Sequence, residues 1–502
     1  MALFNDLQKQ NLTGEFNESY TENGALGFRT SGKELVDFNF GIASMRNWDD
    51  EEIQNKFLKV WNECPELALK FVFFARDCRK GMGERRLGRL CLAKIGELNK
   101  DSLIKNLEFI PEYGRFDDLI SLLHINDDID KAIIDLIHVQ LILDIAHLGA
   151  NEPISLLGKW LPSENASSRK TKKDAKFIRK ALNMSSKEYR QLLSKLRAQI
   201  NIVERHMCSK EWDKIDYQSV PSIANLRYRN CFLRNDEDRR REFLASLKTG
   251  DVTINANVAT PVDIVHQYTG RGWSTKALDE TLEAMWKALP NVEIEDTLVC
   301  ADGSGSMTWC GNSDITPLNV ANALAIYTSE RNKNFEGKFI TFGRNPQFVN
   351  LSNLKSLKDK IDLVNQYDDC ANTNIEKVFK LVLNTALENN YSQEQMPKRI
   401  LIISDMEFDS GIDIGAPRGE EKQLFSNIQD AYETNGFKLP KIVFWNVASR
   451  TGTIPVREND LGVGLVSGFS QQILKMVMSN KLDPFEIIVE QLLSERYEPI
   501  HL

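Results

Sequence analysis

The chain has 502 residues, 42% hydrophobic and 27% charged, with a formal net charge of −8. Those proportions describe an ordinary globular protein of about three domains by length, with enough apolar surface for real cores. They exclude a disordered, collagen-like or cysteine-stapled chain: the eight cysteines (64, 78, 91, 208, 231, 300, 310 and 370) are scattered, without a CxxC pair. They read as small buried hydrophobes in a reducing interior, with Cys310 and Cys370 set apart because their loops adjoin a candidate metal pocket. No apolar run is expected to span a membrane, and the best candidate, 136–144, is interrupted by His138, Gln140 and Asp144 and reads as a buried helix. The N-terminus lacks a signal-peptide pattern, so a cytoplasmic location is expected.

Charge is unevenly spread. Residues 291–502 hold 20 basic and 29 acidic side chains, whereas 169–210 hold 13 basic and 3 acidic. An acidic protein with one concentrated basic segment can touch a polyanion locally.

Residues 1–32 are polar and rich in Gly and Asn, and read as an arm. From 33 to 289 the periodicity is helical. In 52–61, Ile53, Phe57, Val60 and Trp61 share one face, and 65–74 opens on Pro65, which suits a first helical turn. Further helical patterns follow at 85–98, 116–124, 129–147, 186–202 and 275–289. Successive amphipathic helices with short links predict an all-α, HEAT-like domain, although no clean repeat period is present. The segment 169–180 carries Arg169, Lys170, Lys172, Lys173, Lys176, Arg179 and Lys180, preceded by Lys159 and Trp160. Cations ranged along a helix suit RNA phosphates, with Trp160 or Tyr189 as stacking surfaces; the competing reading is a solvated helical face. A second cluster, Arg76, Arg79, Lys80, Arg85 and Arg86, has Asp77 and Glu84 as neutralising neighbours.

From 290 to 482 strand-like runs (297–301, 338–342, 400–404, 441–447, 462–466) alternate with helical segments (317–331, 374–387, 423–435), the signature of an α/β doubly wound sheet. Residues 483–502 read as a C-terminal helix packing back. Asp302, Ser304 and Ser306 leave the end of the first strand, Thr373 lies in a later polar loop, and Asp405 ends the third. Ligands of such folds sit outside the carboxyl ends of the strands, and this hard-oxygen set suits Mg2+ or Mn2+. Glu407, Asp409, Asp368 and Asp369 are the further carboxylates that a two-metal phosphoesterase would need, and otherwise polar loop residues. No histidine occurs between His266 and His501, which removes a Ser-His-Asp arrangement there.

The ordered set Asp302, Ser304, Ser306, Thr373 and Asp405 resembles the metal-ion-dependent adhesion site (MIDAS) of von Willebrand factor A (vWA) domains. Through the segments 76–85, 111–119 and 155–163, with 302–307, 338–342, 443–446 and 465–469, the whole chain from about Gly32 to Tyr497 resembles the DUF2828 family. The domain order is more distantly similar to the Ro/TROVE proteins, in which HEAT-like helices precede a Rossmann-like vWA domain. That resemblance implies non-enzymatic RNA binding and a MIDAS that can accept an Asp or Glu from a protein partner. An insertion at 308–316 departs from the vWA pattern and bears on how open the pocket is.

Overall fold

The computed structural model describes residues 17–270, 275–309, 314–343, 345–367, 375–408, 424–455, 463–481 and 483–502. The chain forms two compact units. One joins the N-terminal residues up to Asp49 with Ala259–Gln491, and the other joins Asp50–Val258 with Leu492–Leu502.

The first unit contains a hairpin of β1 (Glu18–Tyr20) and β2 (Leu26–Phe28) and a six-stranded sheet. The sheet strands are β3 (Thr297–Asp302), β4 (Lys338–Phe342), β5 (Gln347–Asn350), β6 (Arg399–Ser404), β7 (Lys441–Asn446) and β8 (Val463–Ser467), in spatial order β5-β4-β3-β6-β7-β8. Every neighbouring pair is parallel except β4 with β5, so the α/β expectation holds as a mixed, mostly parallel sheet. The central strands read as continuous apolar runs because both faces are covered: every residue of β3 is buried, and in β6 only Arg399 is partly exposed. After β3 the chain runs to one side of the sheet, and β6 returns to the other. The C-terminal ends of β3 and β6 therefore flank the topological switch point, where open α/β sheets leave a crevice.

The helix Pro317–Glu330 covers β3 and is buried over 13 of its 14 residues, with Thr316 accepting from the Asn319 N–H as its cap. The helix Glu34–Met45, ten of whose twelve residues are buried, packs on β8 and β7. Asn446 Nδ2 donates to the Phe40 carbonyl at 2.8 Å, and the Ala43 N–H donates to Ser467 Oγ at 3.0 Å.

These contacts move the expected boundaries. Residues 33–49 and 259–289 belong to the unit that holds the sheet, because their helices bury apolar surface there, so the helical unit is 50–258 rather than 33–289. Residues 17–32 are no loose arm: β2 is joined to Ile454 by reciprocal backbone bonds of 2.8 Å. The expected C-terminal helix is Pro484–Leu492, and the residues after Gln491 go with the helical unit.

In the helical unit the helices Asp50–Glu63, Pro65–Arg76 and Arg85–Leu98 pack on one another, and Ser222–Asn235 packs on Glu237–Thr249. The helix Asp127–Ala150 corrects an expectation. It buries one stripe, Ile129, Ile133, Ile137 and Leu141, while Val139 and Ile142 are 59% and 56% exposed. Among the described residues it is also the one helix long and apolar enough to cross a membrane. Its buried Asp144, however, accepts from the Ser155 N–H at 2.9 Å and hydroxyl at 2.7 Å, which docks that face in the fold.

Candidate metal centre and candidate nucleic-acid interface

At the switch point the ends of β3 and β6 place two carboxylates and three hydroxyls together, all buried or nearly so. Asp302 Oδ1 accepts the Ser304 N–H at 2.9 Å, and Asp302 Oδ2 accepts the Ser404 hydroxyl at 2.6 Å. Ser304 Oγ lies 3.0 Å from Ser306 Oγ. Asp405 Oδ1 accepts the Glu407 N–H at 3.2 Å, while Asp405 Oδ2 is buried without a hydrogen-bond donor. Burial pushes the Asp405 carboxyl up to about 7, reinforced by the Asp302 charge and opposed by the Ser306 hydroxyl.

An orphaned carboxylate oxygen amid hydroxyls is the donor chemistry a hard divalent cation takes, so these residues fit Mg2+ or Mn2+. Among the described residues no three His, Cys, Asp or Glu come together as a metal-holding group, so an ion here would need hydroxyl ligands beside the two carboxylates. Thr373, Asp368, Asp369, Asp409, Cys310 and Cys370 lie outside the described residues. Ser404 escaped the sequence reading because it ends an apolar strand, although its place immediately before Asp405 was a signal.

Glu407 has a different task from metal binding. Its Oε2 accepts the Glu22 N–H at 2.7 Å, and its Oε1 accepts the N–H groups of Arg450 and Thr451 at 2.9 and 3.0 Å. The carboxylate is thereby saturated, tying the hairpin to the loop after β7. That loop also brings Arg450 Nη2 to 2.5 Å from Glu22 Oε2 and 3.6 Å from Asp405 Oδ2. Arg450 is the cationic neighbour of the pocket, and no motif announced it.

In the helical unit, the helix Arg169–Ala181 is capped by Ser168 and buries Asp174, Ala175 and Ile178. Arg169, Lys170, Lys172, Lys173, Lys176 and Lys180 are largely solvent-facing. Positions 169, 172, 173, 176 and 180 follow helical spacing and form one stripe, about 18 Å long at 1.5 Å per residue. Among the described residues none of these six cations has a carboxylate partner. Lys187, Arg190 and Lys195 on the next helix are exposed too.

Arg179 and Tyr189, expected to face RNA, and Arg197 of the same basic segment are taken up internally. Arg179 Nε donates to Glu164 at 2.9 Å and its Nη1 to the Met184 carbonyl at 2.6 Å. Arg197 donates to the carbonyls of Gly158 (3.0 Å) and Leu161 (2.9 Å) and to Ser163 Oγ (2.9 Å). Tyr189 is buried with its hydroxyl donating to the Pro162 carbonyl at 3.0 Å, so it offers no stacking face. Lys159 is half-buried, with Nζ 5.6 Å from the Trp160 ring centroid.

The arginine-rich stretch at 76–85 is likewise structural in part. Arg76 is 4% exposed and paired with Asp118 at 2.5 Å, which withdraws it from any RNA surface. Arg79 and Lys80 are exposed, with the Arg79 guanidinium donating to the Glu112 carbonyl. Gly114 makes the Arg76–Asp118 pair possible, since a Cβ there would lie 2.4 Å from Asp118 Oδ2. Arg115 stacks over Trp160 at 4.4 Å, so three motifs distant in sequence, 76–85, 111–119 and 155–163, converge on one cluster.

Comparison with known families gives two matches, each described as a domain of unknown function. DUF2828 matches residues 21–129 and 164–293, and DUF7788 matches residues 296–496. The chain is also similar to an uncharacterized protein of Acanthamoeba polyphaga mimivirus, 28% identical over 518 residues, covering 95% of this chain and 87% of that one.

Proposed function

On the premise of a DUF2828-type chain, we propose that this is a non-enzymatic RNA-binding protein. Its helical unit holds the phosphate backbone, and its sheet unit carries a divalent-cation centre of the vWA type. The observation that carries the RNA reading is the set of six solvent-facing cations without carboxylate partners on the helix Arg169–Ala181, five of them in one stripe. Cations already paired within a fold release no counterions from a polyanion, whereas unpaired ones do. The order of helices before a sheet unit is that of the Ro/TROVE proteins, which supports the same class of ligand.

Mg2+ or Mn2+ would be held by Asp302, Ser304, Ser306 and Asp405, with Thr373 as the fifth residue that the MIDAS resemblance implies. The ion would supply charge neutralisation and a Lewis-acidic binding position. Among the described residues, Glu407, the candidate for a base or a second-metal ligand, spends its oxygens on backbone N–H groups. That weighs against a phosphoesterase.

A metal-dependent adaptor is the second reading, favoured by the orphaned Asp405 Oδ2. An ion bound there with one open position could accept a carboxylate from a protein partner. An RNA-crosslinking pull-down of the full chain, against a variant neutralised at these six cations, separates the two. Discrete RNAs recovered by the wild type alone support RNA binding. Proteins recovered only with magnesium, and no RNA, would replace that reading with the adaptor.

A further inference from the structure

The convergence of the three motifs leaves an imbalance of charge. Arg76, Arg85, Arg89 and Arg115 surround Asp117 and Asp118 in the helical unit, four guanidinium groups sharing two carboxylates. Arg76 is consumed by Asp118, which is fully buried. Arg85, Arg89 and Arg115 keep side-chain exposures of 48%, 26% and 32%. Arg85 Nη2 donates to Asp117 and Arg89 Nε to Asp118, but the pairing of Arg89 and Arg115 is incomplete. Arg89 Nη2 lies 2.7 Å from Asp117 Oδ2 and Arg115 Nε 3.2 Å from Asp117 Oδ1, yet none of these atoms except Asp117 Oδ2 finds an aligned hydrogen-bond partner. Trp160 fixes the plane of the Arg115 guanidinium from one side.

We propose that Arg85, Arg89 and Arg115 form the rim of a site for a doubly charged phosphoryl group, a phosphate monoester or free phosphate. Two surplus positive charges match a dianion better than the single charge of a phosphodiester. Guanidinium donors held by the buried Asp118 and the partly buried Asp117 are preorganised, so little side-chain entropy is lost on binding, and their fork geometry suits phosphate oxygens. The site is separate from the stripe on the helix Arg169–Ala181 and stands without the RNA reading.

Titration calorimetry of the full chain with inorganic phosphate, at constant ionic strength in chloride, tests it first. Saturable binding is expected, weakened at least tenfold in Arg85→Gln and unchanged in Arg86→Gln, whose guanidinium pairs with the exposed Asp50 instead. Arg85 is the most exposed of the three, so its substitution leaves the buried Arg76–Asp118 pair in place; thermal melting of the variant checks this. A second titration compares 5′-phosphorylated with 5′-hydroxyl RNA of one sequence. A tenfold preference for the phosphorylated end, lost in Arg85→Gln, assigns the site to RNA termini. Phosphate binding without that preference assigns it to a small phosphate compound. Absence of phosphate binding together with equal affinity for both RNAs overturns the proposal. Phosphate bound by a chain that binds no RNA would sink the RNA reading alone.

Discussion

The Glu407 carboxylate accepts the backbone N–H of Glu22 at 2.7 Å, joining residues 385 apart in sequence. The same side chain holds the N–H groups of Arg450 and Thr451. The hairpin is thus fastened to the rim of the candidate metal centre by one buried anion. Asn23 Nδ2 adds a bond of 2.6 Å to the Glu407 carbonyl, and Thr21 Oγ1 one of the same length to the Phe408 carbonyl.

Replacing that anion should be costly. Glu407→Gln puts an amide donor against backbone donors and leaves at least one buried N–H unsatisfied, a loss of about 2–3 kcal/mol. The expected result is a lower urea midpoint for the full chain, with faster proteolysis in the hairpin. A midpoint equal to that of the wild type would show that the carboxylate is dispensable.

The proposed metal centre predicts a dissociation between stability and cation dependence. Without a cation, the charged form of wild-type Asp405 is disfavoured by both its burial and Asp302. Asp405→Asn removes that charge and should melt no lower than the wild type in EDTA. Magnesium should then raise the wild-type melting temperature, by an amount equivalent to about 2.7 kcal/mol at one hundred times the dissociation constant, and leave the variant where it was. A magnesium shift that persists in both Asp405→Asn and Asp302→Ala would place the ion elsewhere.

What was readable in the sequence follows from how each element is buried. β3 and β6 are covered on both faces, so their apolar runs stood out, and the Asp and Ser residues at their ends were found with them. β5 was not legible, because as an edge strand it buries only Val349. The helix Glu34–Met45 was assigned to the wrong unit: apolar on nearly every side, it shows that it is buried but not against what. Arg450 and Glu22 were invisible as site residues, since nothing local marks a side chain that reaches the pocket through a loop. The opposite error arose in the basic segment, where charge density alone could not separate the exposed Lys176 from the internally bonded Arg197.

The cationic stripe predicts a salt signature. For single-stranded RNA, each phosphate that the protein neutralises adds about 0.7 to the slope of log affinity against log salt. Neutralising Lys172, Lys173, Lys176 and Lys180 to Gln should therefore lower the slope by about 3. Little change in melting temperature is expected, because these side chains reach into solvent. Filter binding of a single-stranded RNA between 50 and 200 mM salt, on the order of the range where such slopes are read, checks it. An unaltered slope would show that the stripe is only a solvated face.

Arg197 supplies the complementary case, a cation in the same segment whose work is structural. Its guanidinium makes three directed bonds that hold the turn from Gly158 to Ser163, and burial pushes its pKa below the usual arginine range. A lysine keeps the charge but cannot form that fork, so Arg197→Lys leaves two or more buried acceptors unmatched. The expected cost is about 2 kcal/mol in the denaturation midpoint, with the salt slope of RNA binding unchanged. Trp160 fluorescence should shift as the turn loosens, because the Arg115 guanidinium stacks 4.4 Å from that ring. A variant as stable as the wild type but with a reduced slope would reverse the assignment and return Arg197 to the phosphate-binding surface.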